Sequence, residues 1–556
     1  MLKSGLVTIA LLASSQGSLA QQPLPGAGGQ LQQIPPPPLR EKAEPDLRVE
    51  GRNAAAPAVA EGETFRVSKL MVTGNSLYRE AELLAAAGFI PNSEMSLAQL
   101  RDSAARIAAF YNERGYFLAQ AYLPAQEIEE GAVTVAVVEG RYGKTGFNNR
   151  SRLSDGAVSN ALAGLRTGEP VTARPLERRL LLLSDIPGIK VRSTLAPGTG
   201  VGTSDLLIDV APGRRLTGSV EADNGGNRYT GAYRLGGSVN FNNPTGFGDV
   251  LSLRLLGSSG ALGYGRLAYQ APVGAATLGA AFTHLRYELG REFRSLDADG
   301  TANIASVFGS YPLVRSRNAN LYALAGVDSK WLTDRIELAS TRSRRTSQAL
   351  NLGFSGDMVD GLGGGGRNIV SAGLAVGDLH LRSDMDRAAD ALTARTEGRF
   401  GRLQLSGARL QALGGPLSFY AAVRGQLAFG NLDTSEKMEL GGAYGVRAYP
   451  EGEAYGDEGW IGTLEARLAL TRWTGRLPGE LGLFGFVDHG RIRFADDPWA
   501  AGPNGASRSG IGAGLSWAAP GGTVARLSHA RKLGDQAVTS GPDKPGRFWF
   551  QVSRLF

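Results

Sequence analysis

Four histidines, His284, His380, His489 and His529, are the side chains best suited to proton transfer or metal binding, and they lie far apart in the chain. None falls in an HExxH arrangement or at another spacing that would gather ligands around one ion. No GxSxG nucleophile elbow occurs. Cysteine is absent, which excludes disulfides and thiolate metal sites. No GxxxxGK[ST] loop is present, and the Gly363–Gly366 run lies between strand-like segments with no following helix to hold a phosphate. His489 beside Asp488 invites a catalytic reading, but adjacent strand residues point to opposite faces. Asp496-Asp497 reads as a solvated loop pair. The expectation is a protein that is not an enzyme and needs no cofactor or metal.

Charge pairing is the chemistry that remains. Strand geometry puts Phe486, Asp488 and Gly490 on one face, with Leu481, Leu483 and Val487 on the other. The second set is apolar enough for lipid, so Asp488 is expected to face an interior. A carboxylate there calls for a cation, and guanidinium supplies a fixed, permanently charged fork. Arg447 could provide it from the glycine-rich stretch GGAYGVRAYPEGEAYGDEG, which is too long for a simple hairpin turn. Spacing alone also allows Arg447 to be a solvated loop arginine and Asp488 a strand-end charge.

The elements that must hold these residues announce themselves in stages. Lys3, the apolar run LVTIALLA and Ser18-Leu19-Ala20 have the layout of a secretory signal peptide over residues 1–20. Residues 21–63 are rich in proline and glutamine, with four consecutive prolines at Pro35 to Pro38, and read as an extended linker. From Phe65 the pattern becomes strand, helix, helix, strand, strand. Ser96 and Gln99 form a capping box ahead of a helix carrying Leu97, Leu100, Ile107, Phe110 and Tyr111. The stretches YFLAQAYLP and AVTVAVVEG read as strands. A second pass of the same order begins near Gly143, so residues 64–142 and 143–213 are expected to be two small α+β modules in tandem.

After Gly213, helical periodicity gives way to alternation. Tyr233, Leu235, Val239 and Phe241 oppose Arg234, Ser238 and Asn240; Leu464, Ala466 and Leu468 oppose Glu465 and Arg467. Apolar residues on one face with arginine and small polar residues on the other fit a membrane barrel with a wet lumen. No stretch of roughly 18 uninterrupted apolar residues occurs, so a membrane span has to be a closed barrel. The 343 residues after Gly213 (556 minus 213), at roughly 21 per strand and connection, give about 16 strands. The 78 glycines fit tight turns and close backbone packing. A net charge of +7 without a concentrated basic run does not indicate nucleic-acid binding. The fold class expected is mainly β: a transmembrane antiparallel β-barrel over 214–556 preceded by two α+β domains.

Nearly everything after residue 63 resembles the two-partner secretion transporters, the haemolysin secretion/activation group of the Omp85 superfamily. Gly115–Gly143 is similar to the end of that family's first polypeptide-transport-associated (POTRA) domain, and Asp223–Leu255 to its first barrel hairpin. Val446-Arg447-Ala448-Tyr449 resembles the VRGY/F tip of a loop folded back into the barrel, with Ala448 where the family has glycine. Phe486-Val487-Asp488-His489-Gly490 matches the FxDxG motif of the inner wall, and Phe556 is the kind of terminal aromatic that ends an outer-membrane barrel. The resemblance implies an in-lumen pairing of Arg447 with Asp488. It also implies an outer-membrane location in contact with lipid, periplasmic POTRA domains, and a large secreted exoprotein as partner. That exoprotein would be recognised unfolded and passed through the lumen of what is expected to be a monomer. An Omp85-type assembly factor for other barrels is the alternative. Some relatives begin with a pore-plugging helix; residues 21–60 carry no convincing amphipathic helix, so the sequence supports no claim of a plug.

Overall fold

The computed structural model describes residues 25–38, 46–50, 64–470 and 478–556; the expected signal peptide lies outside these. Its first elements are a six-residue helix, α1 (Ala27–Gln32), and a short strand, β1 (Asp46–Val49). The first module then comprises β2 (Thr64–Val67), β3 (Lys69–Thr73), α2 (Glu80–Ala87), β4 (Ser93–Ser96), α3 (Leu97–Glu113), β5 (Gln120–Tyr122) and β6 (Ala132–Val138). β3, β6 and β5 form its sheet, while β2 and β4 make a separate pair. The capping box closes α3: the Ser96 hydroxyl accepts from the Gln99 amide, and the Gln99 side chain accepts from the Ser96 amide. Leu100, Ile107 and Tyr111 share the buried face of α3 and pack with Val133 and Val135 of β6.

The second module holds β7 (Arg141–Asn149), α4 (Asp155–Ala161), α5 (Ala173–Ser184), β8 (Ile189–Pro197) and β9 (Thr203–Pro212). Its sheet runs β1-β8-β9-β7, so a strand from the N-terminal stretch completes it. The modules meet at Glu139, a buried carboxylate accepting from the Ser76 amide at 2.6 Å, the Leu77 amide at 2.7 Å, the Tyr111 hydroxyl at 3.1 Å and Arg141 at 3.0 Å. Arg141 also donates to the Gly168 carbonyl at 2.9 Å, tying the second module to the same carboxylate.

Strands β10 (Leu216–Asp223) to β20 (Leu417–Ala428) follow in chain order. Two-residue strands β21 (Met438–Glu439) and β22 (Tyr455–Gly456) then pair within one connection. β23 (Glu458–Ala469), β24 (Glu480–Arg493), β25 (Ala506–Ala519), β26 (Thr523–Lys532) and β27 (Gly546–Leu555) complete a closed barrel of 16 strands, the number the sequence length suggested. Each neighbour is antiparallel, and β27 returns to β10 through the register Ser219↔Leu555 to Asp223↔Gln551. Leu251, Leu253, Leu255 and Phe548 are exposed on the outside, whereas Glu221, Asp223 and Arg234 are buried on the inside. The second module sits against the barrel rim, where Asp185 takes a bidentate fork from Arg315 at 2.6 and 2.7 Å. Arg178 donates to the Pro312 and Leu313 carbonyls of the same rim.

The linker expected over residues 21–63 needs correction where it is described, at residues 25–38 and 46–50. Ala27 of α1 packs on Leu285, Tyr287 and Leu332 of the barrel wall, its amide donates to Asp334 at 2.8 Å, and Gln30 and Gln33 are buried. Arg234 donates to the Gln33 carbonyl at 2.7 Å and Thr230 to the Gln30 side chain at 2.9 Å. Gly28 is in contact with Thr434 and Ser435, where a Cβ would fall 2.5 Å from the Thr434 hydroxyl. A glycine- and glutamine-rich stretch cannot fill an oily core, but it suits a polar lumen. Glycine lets the backbone approach the wall, and glutamine offers both donor and acceptor. The stretch therefore plugs the barrel with α1 and extends a sheet with β1.

Burial pushes the Glu139 carboxyl up, but the hydrogen bonds from Ser76, Leu77 and Tyr111 outweigh it and leave it below the usual glutamate value. Such a group stabilises the folded junction fully above its unfolded value, about 4.3, and that contribution is lost as pH falls through the lower folded value. Hydrogen exchange at the Ser76 and Leu77 amides, corrected for intrinsic rates, is expected to lose protection over that acid window. Glu139→Gln should abolish the pH dependence and weaken protection at neutral pH by about 1–3 kcal/mol.

Candidate functional site: a loop latched to the inner wall

Between β20 and β23 the chain turns back into the barrel, and Val446, Ala448 and Tyr449 at its tip have no exposed surface. Arg447 lies between them. Its Nε donates to Asp488 Oδ2 at 2.8 Å and its Nη2 to Asp488 Oδ1 at 2.7 Å, a bidentate fork. Its Nη1 reaches Glu465 at 2.8 Å on the neighbouring strand β23. The backbone amide of Arg447 also donates to Asp488, and its carbonyl accepts from Trp549 of β27 at 2.7 Å. The guanidinium carbon sits 3.4 Å from the centroid of the Phe486 ring, so the cation is stacked as well as paired. Asp488 receives a further hydrogen bond from Thr463 at 2.9 Å and is fully buried.

Glycines make this seat possible. A Cβ on Gly490 would lie 2.7 Å from Leu440 of the loop and 2.9 Å from Ile461. A Cβ on Gly510 would lie 2.6 Å from the Ala448 methyl, while Gly512 and Gly514 on the same strand lie under the Phe486 and Phe484 rings. This explains why alanine is tolerated where the family has glycine: Ala448 does not adopt a positive φ, and Gly510 leaves room for its methyl. Tyr449 donates to the Gln536 carbonyl at 3.3 Å, and Val446 bridges back to Gly441. The structure thus brings together Val446, Arg447, Ala448, Tyr449, Phe486, Asp488 and Gly490.

Several partners were missed in the sequence. Glu465 accepts from Arg447, Arg467 and Arg526, making it the shared acceptor of three guanidiniums. Its place on the polar face of an alternating strand beside Arg467 was visible, but its other partners lie on the folded-back loop and on β26, 61 residues away. The GxGxG spacing at Gly510, Gly512 and Gly514 was the signal for the aromatic seat. The loop is anchored elsewhere with reversed polarity: its Asp433 meets Arg345, Glu436 meets Arg402 at 2.8 Å, and Glu453 meets Arg508 at 2.8 Å.

The haemolysin secretion/activation protein family, ShlB/FhaC/HecB, has a model that matches residues 202–517, more than half of the chain. The chain belongs to that family. The ShlB-type POTRA domain model matches residues 65–140. A heme/hemopexin transporter protein, HuxB, of Haemophilus influenzae is 30% identical over 471 residues, 83% of this chain and 82% of its own. The outer membrane transporter CdiB of Dickeya dadantii is 24% identical over 78% of this chain and 77% of its own. Among solved structures, CdiB from Escherichia coli superposes with a TM-score of 0.70 at 19% identity, covering 91% of this chain and 93% of that one, a likeness of fold. Membership places the barrel in the outer membrane with its POTRA domains in the periplasm, as a transporter of the two-partner secretion type whose partner is a secreted exoprotein.

Breaking a buried ion pair by removing one partner costs about 3–5 kcal/mol. Asp488→Ala is expected to free the loop while the barrel stays folded, seen as new protease cleavage near Arg447 with unchanged heat-modifiable gel mobility. Gly510→Leu should do the same by displacing Ala448. Protection of the loop tip in both variants would refute the latch.

Proposed function

We propose that this transporter captures its exoprotein unfolded, by strand addition to POTRA sheet edges, and threads it through the barrel once the lumen is cleared. The observation that carries the reading is the state of the lumen. A closed barrel with a polar inner face is filled by two segments of its own chain, α1 held by hydrogen bonds and the Arg447 loop by hydrogen bonds and ion pairs, each with a small apolar contact beside them. Polar contacts of this kind exchange for water or for a passing polypeptide at small net cost, unlike an apolar core. The transporter acts as a monomeric conduit without a catalytic step, and folding of the exoprotein outside gives the movement its direction. Likeness to the Haemophilus influenzae heme/hemopexin transporter makes a heme- or hemopexin-binding exoprotein the first cargo to try.

The test is secretion of a co-expressed cargo by intact cells carrying the unaltered chain or Arg447→Ala. Export is expected with the former, with a drop of at least about tenfold in the variant, a factor equivalent to about 1.4 kcal/mol. No export by either form, together with failure of other barrels to assemble when the protein is removed, would replace this reading with an assembly factor.

A further inference from the structure

Five neighbouring barrel strands share one outward surface: β14 (Ala276–Glu288), β15 (Ala298–Arg315), β16 (Ala319–Ile336), β17 (Thr341–Asp360) and β18 (Gly366–Leu381). Register partners on neighbouring strands point to the same face. One row across this surface is Arg286, Thr301, Thr333, Arg344 and Arg382, the last donating from its amide to the Arg344 carbonyl at 2.9 Å. The row above sets Arg335 opposite Arg342, and the row below holds Trp331. Further down the same faces, Phe282, Val327, Leu350 and Val376 are exposed and belong to the apolar band that meets lipid. The arginine row lies at the end of β15 and β16 remote from Pro312 and Arg315, where the second periplasmic module sits, and so faces the outer leaflet.

Like charges placed directly opposite one another in a sheet repel. Here that happens twice, at Arg335 with Arg342 and at Arg344 with Arg382. Arg335 is neutralised by Asp299 at 2.8 Å, and Arg382 donates to the Thr346 hydroxyl at 3.2 Å. Arg286, Arg342 and Arg344 are exposed, and among the described residues none of them makes a side-chain hydrogen bond or ion pair. Acids border the row, with Glu288 above Arg286, Asp378 below Arg382 and Glu397 at 3.3 Å from His380, but the row itself holds none.

A guanidinium fork matches the geometry of phosphate, and position selects what carries the phosphate. Tryptophan at this height marks the boundary between hydrocarbon and water. Long arginine side chains lay their stems on apolar surface while their heads stay among polar groups. A ligand that meets both the row and the band beneath it is therefore an amphiphile. We propose that Arg286, Arg344 and Arg382 bind the phosphate-bearing headgroup of an outer-leaflet lipid, whose acyl chains lie on the band at Val327, Leu350 and Val376. The bound headgroup relieves the repulsion along the row and holds this wall at one height in the membrane. The inference rests on the outer-membrane placement and is independent of the transport reading.

The probe is diphosphoryl lipid A, titrated into the purified full-length protein in an uncharged detergent and counted by native mass spectrometry. Arg286→Gln/Arg344→Gln/Arg382→Gln is expected to hold the lipid at least about tenfold more weakly than the unaltered chain. Heat-modifiable gel mobility reports whether the variant barrel is closed, and Arg344→Gln alone, a milder change, should weaken binding in the same direction. Dephosphorylated lipid A should bind the unaltered and triple-variant proteins equally. Arg491→Gln/Arg531→Gln removes two other exposed arginines, on β24 and β26, and should leave binding unchanged. Undiminished binding in the triple variant overturns the proposal, and so does an equal loss in the β24/β26 variant, which would show a diffuse attraction to charge. Inorganic phosphate at the lipid's concentration is expected not to displace it; displacement would make the row a site for free phosphate and overturn the lipid assignment.

Discussion

Inside a bilayer no backbone amide or carbonyl can be left without a partner, and this requirement governs the rest of the molecule. It forces the sixteen strands to close on one another, which they do where β27 meets β10. The seam is finished by Phe556, whose amide and carbonyl pair with Gly218. Closure of this many strands leaves an interior wider than side chains alone can fill. The remaining features are answers to that opening.

The interior is settled by electrostatics. Charges taken out of bulk water are tolerable only when they are paired and fully hydrogen-bonded. Arg447 meets this condition through Asp488, Glu465 and the Phe486 ring, and the loop behind it carries acids to basic wall positions. Reciprocal polarity fixes the loop in one register, and the apolar packing of Leu440, Val446, Ala448 and Tyr449 against Ile461, Phe484 and Phe486 backs it. The glycines of β24 and β25 serve the same end, since the loop can approach the wall only where side chains are missing.

The N-terminal stretch shows how far composition can mislead. Proline, glycine and glutamine in series describe a spacer when the only available core is oil. Here the available surroundings are a polar lumen, which accepts a short polar segment, and an open sheet edge, which accepts a strand whose Leu47 and Val49 reach the module's core. A six-residue helix and a four-residue strand gain order from what they touch, since neither is long enough to be stable alone.

The sequence by itself determined the alternation of the barrel strands, their approximate number, the capping box of α3 and the two faces of β24, because each depends on residues adjacent in the chain and on a fixed period. The family motifs added Arg447 and Asp488 as partners. What only the tertiary structure decided were contacts across long sequence distances: Glu465 as the shared acceptor, Trp549 on the Arg447 carbonyl, Gly510 as the seat for Ala448, and the docking of α1 and β1. Those depend on which strands barrel closure makes neighbours and on how near a backbone can come to a wall, and local periodicity carries no information about either.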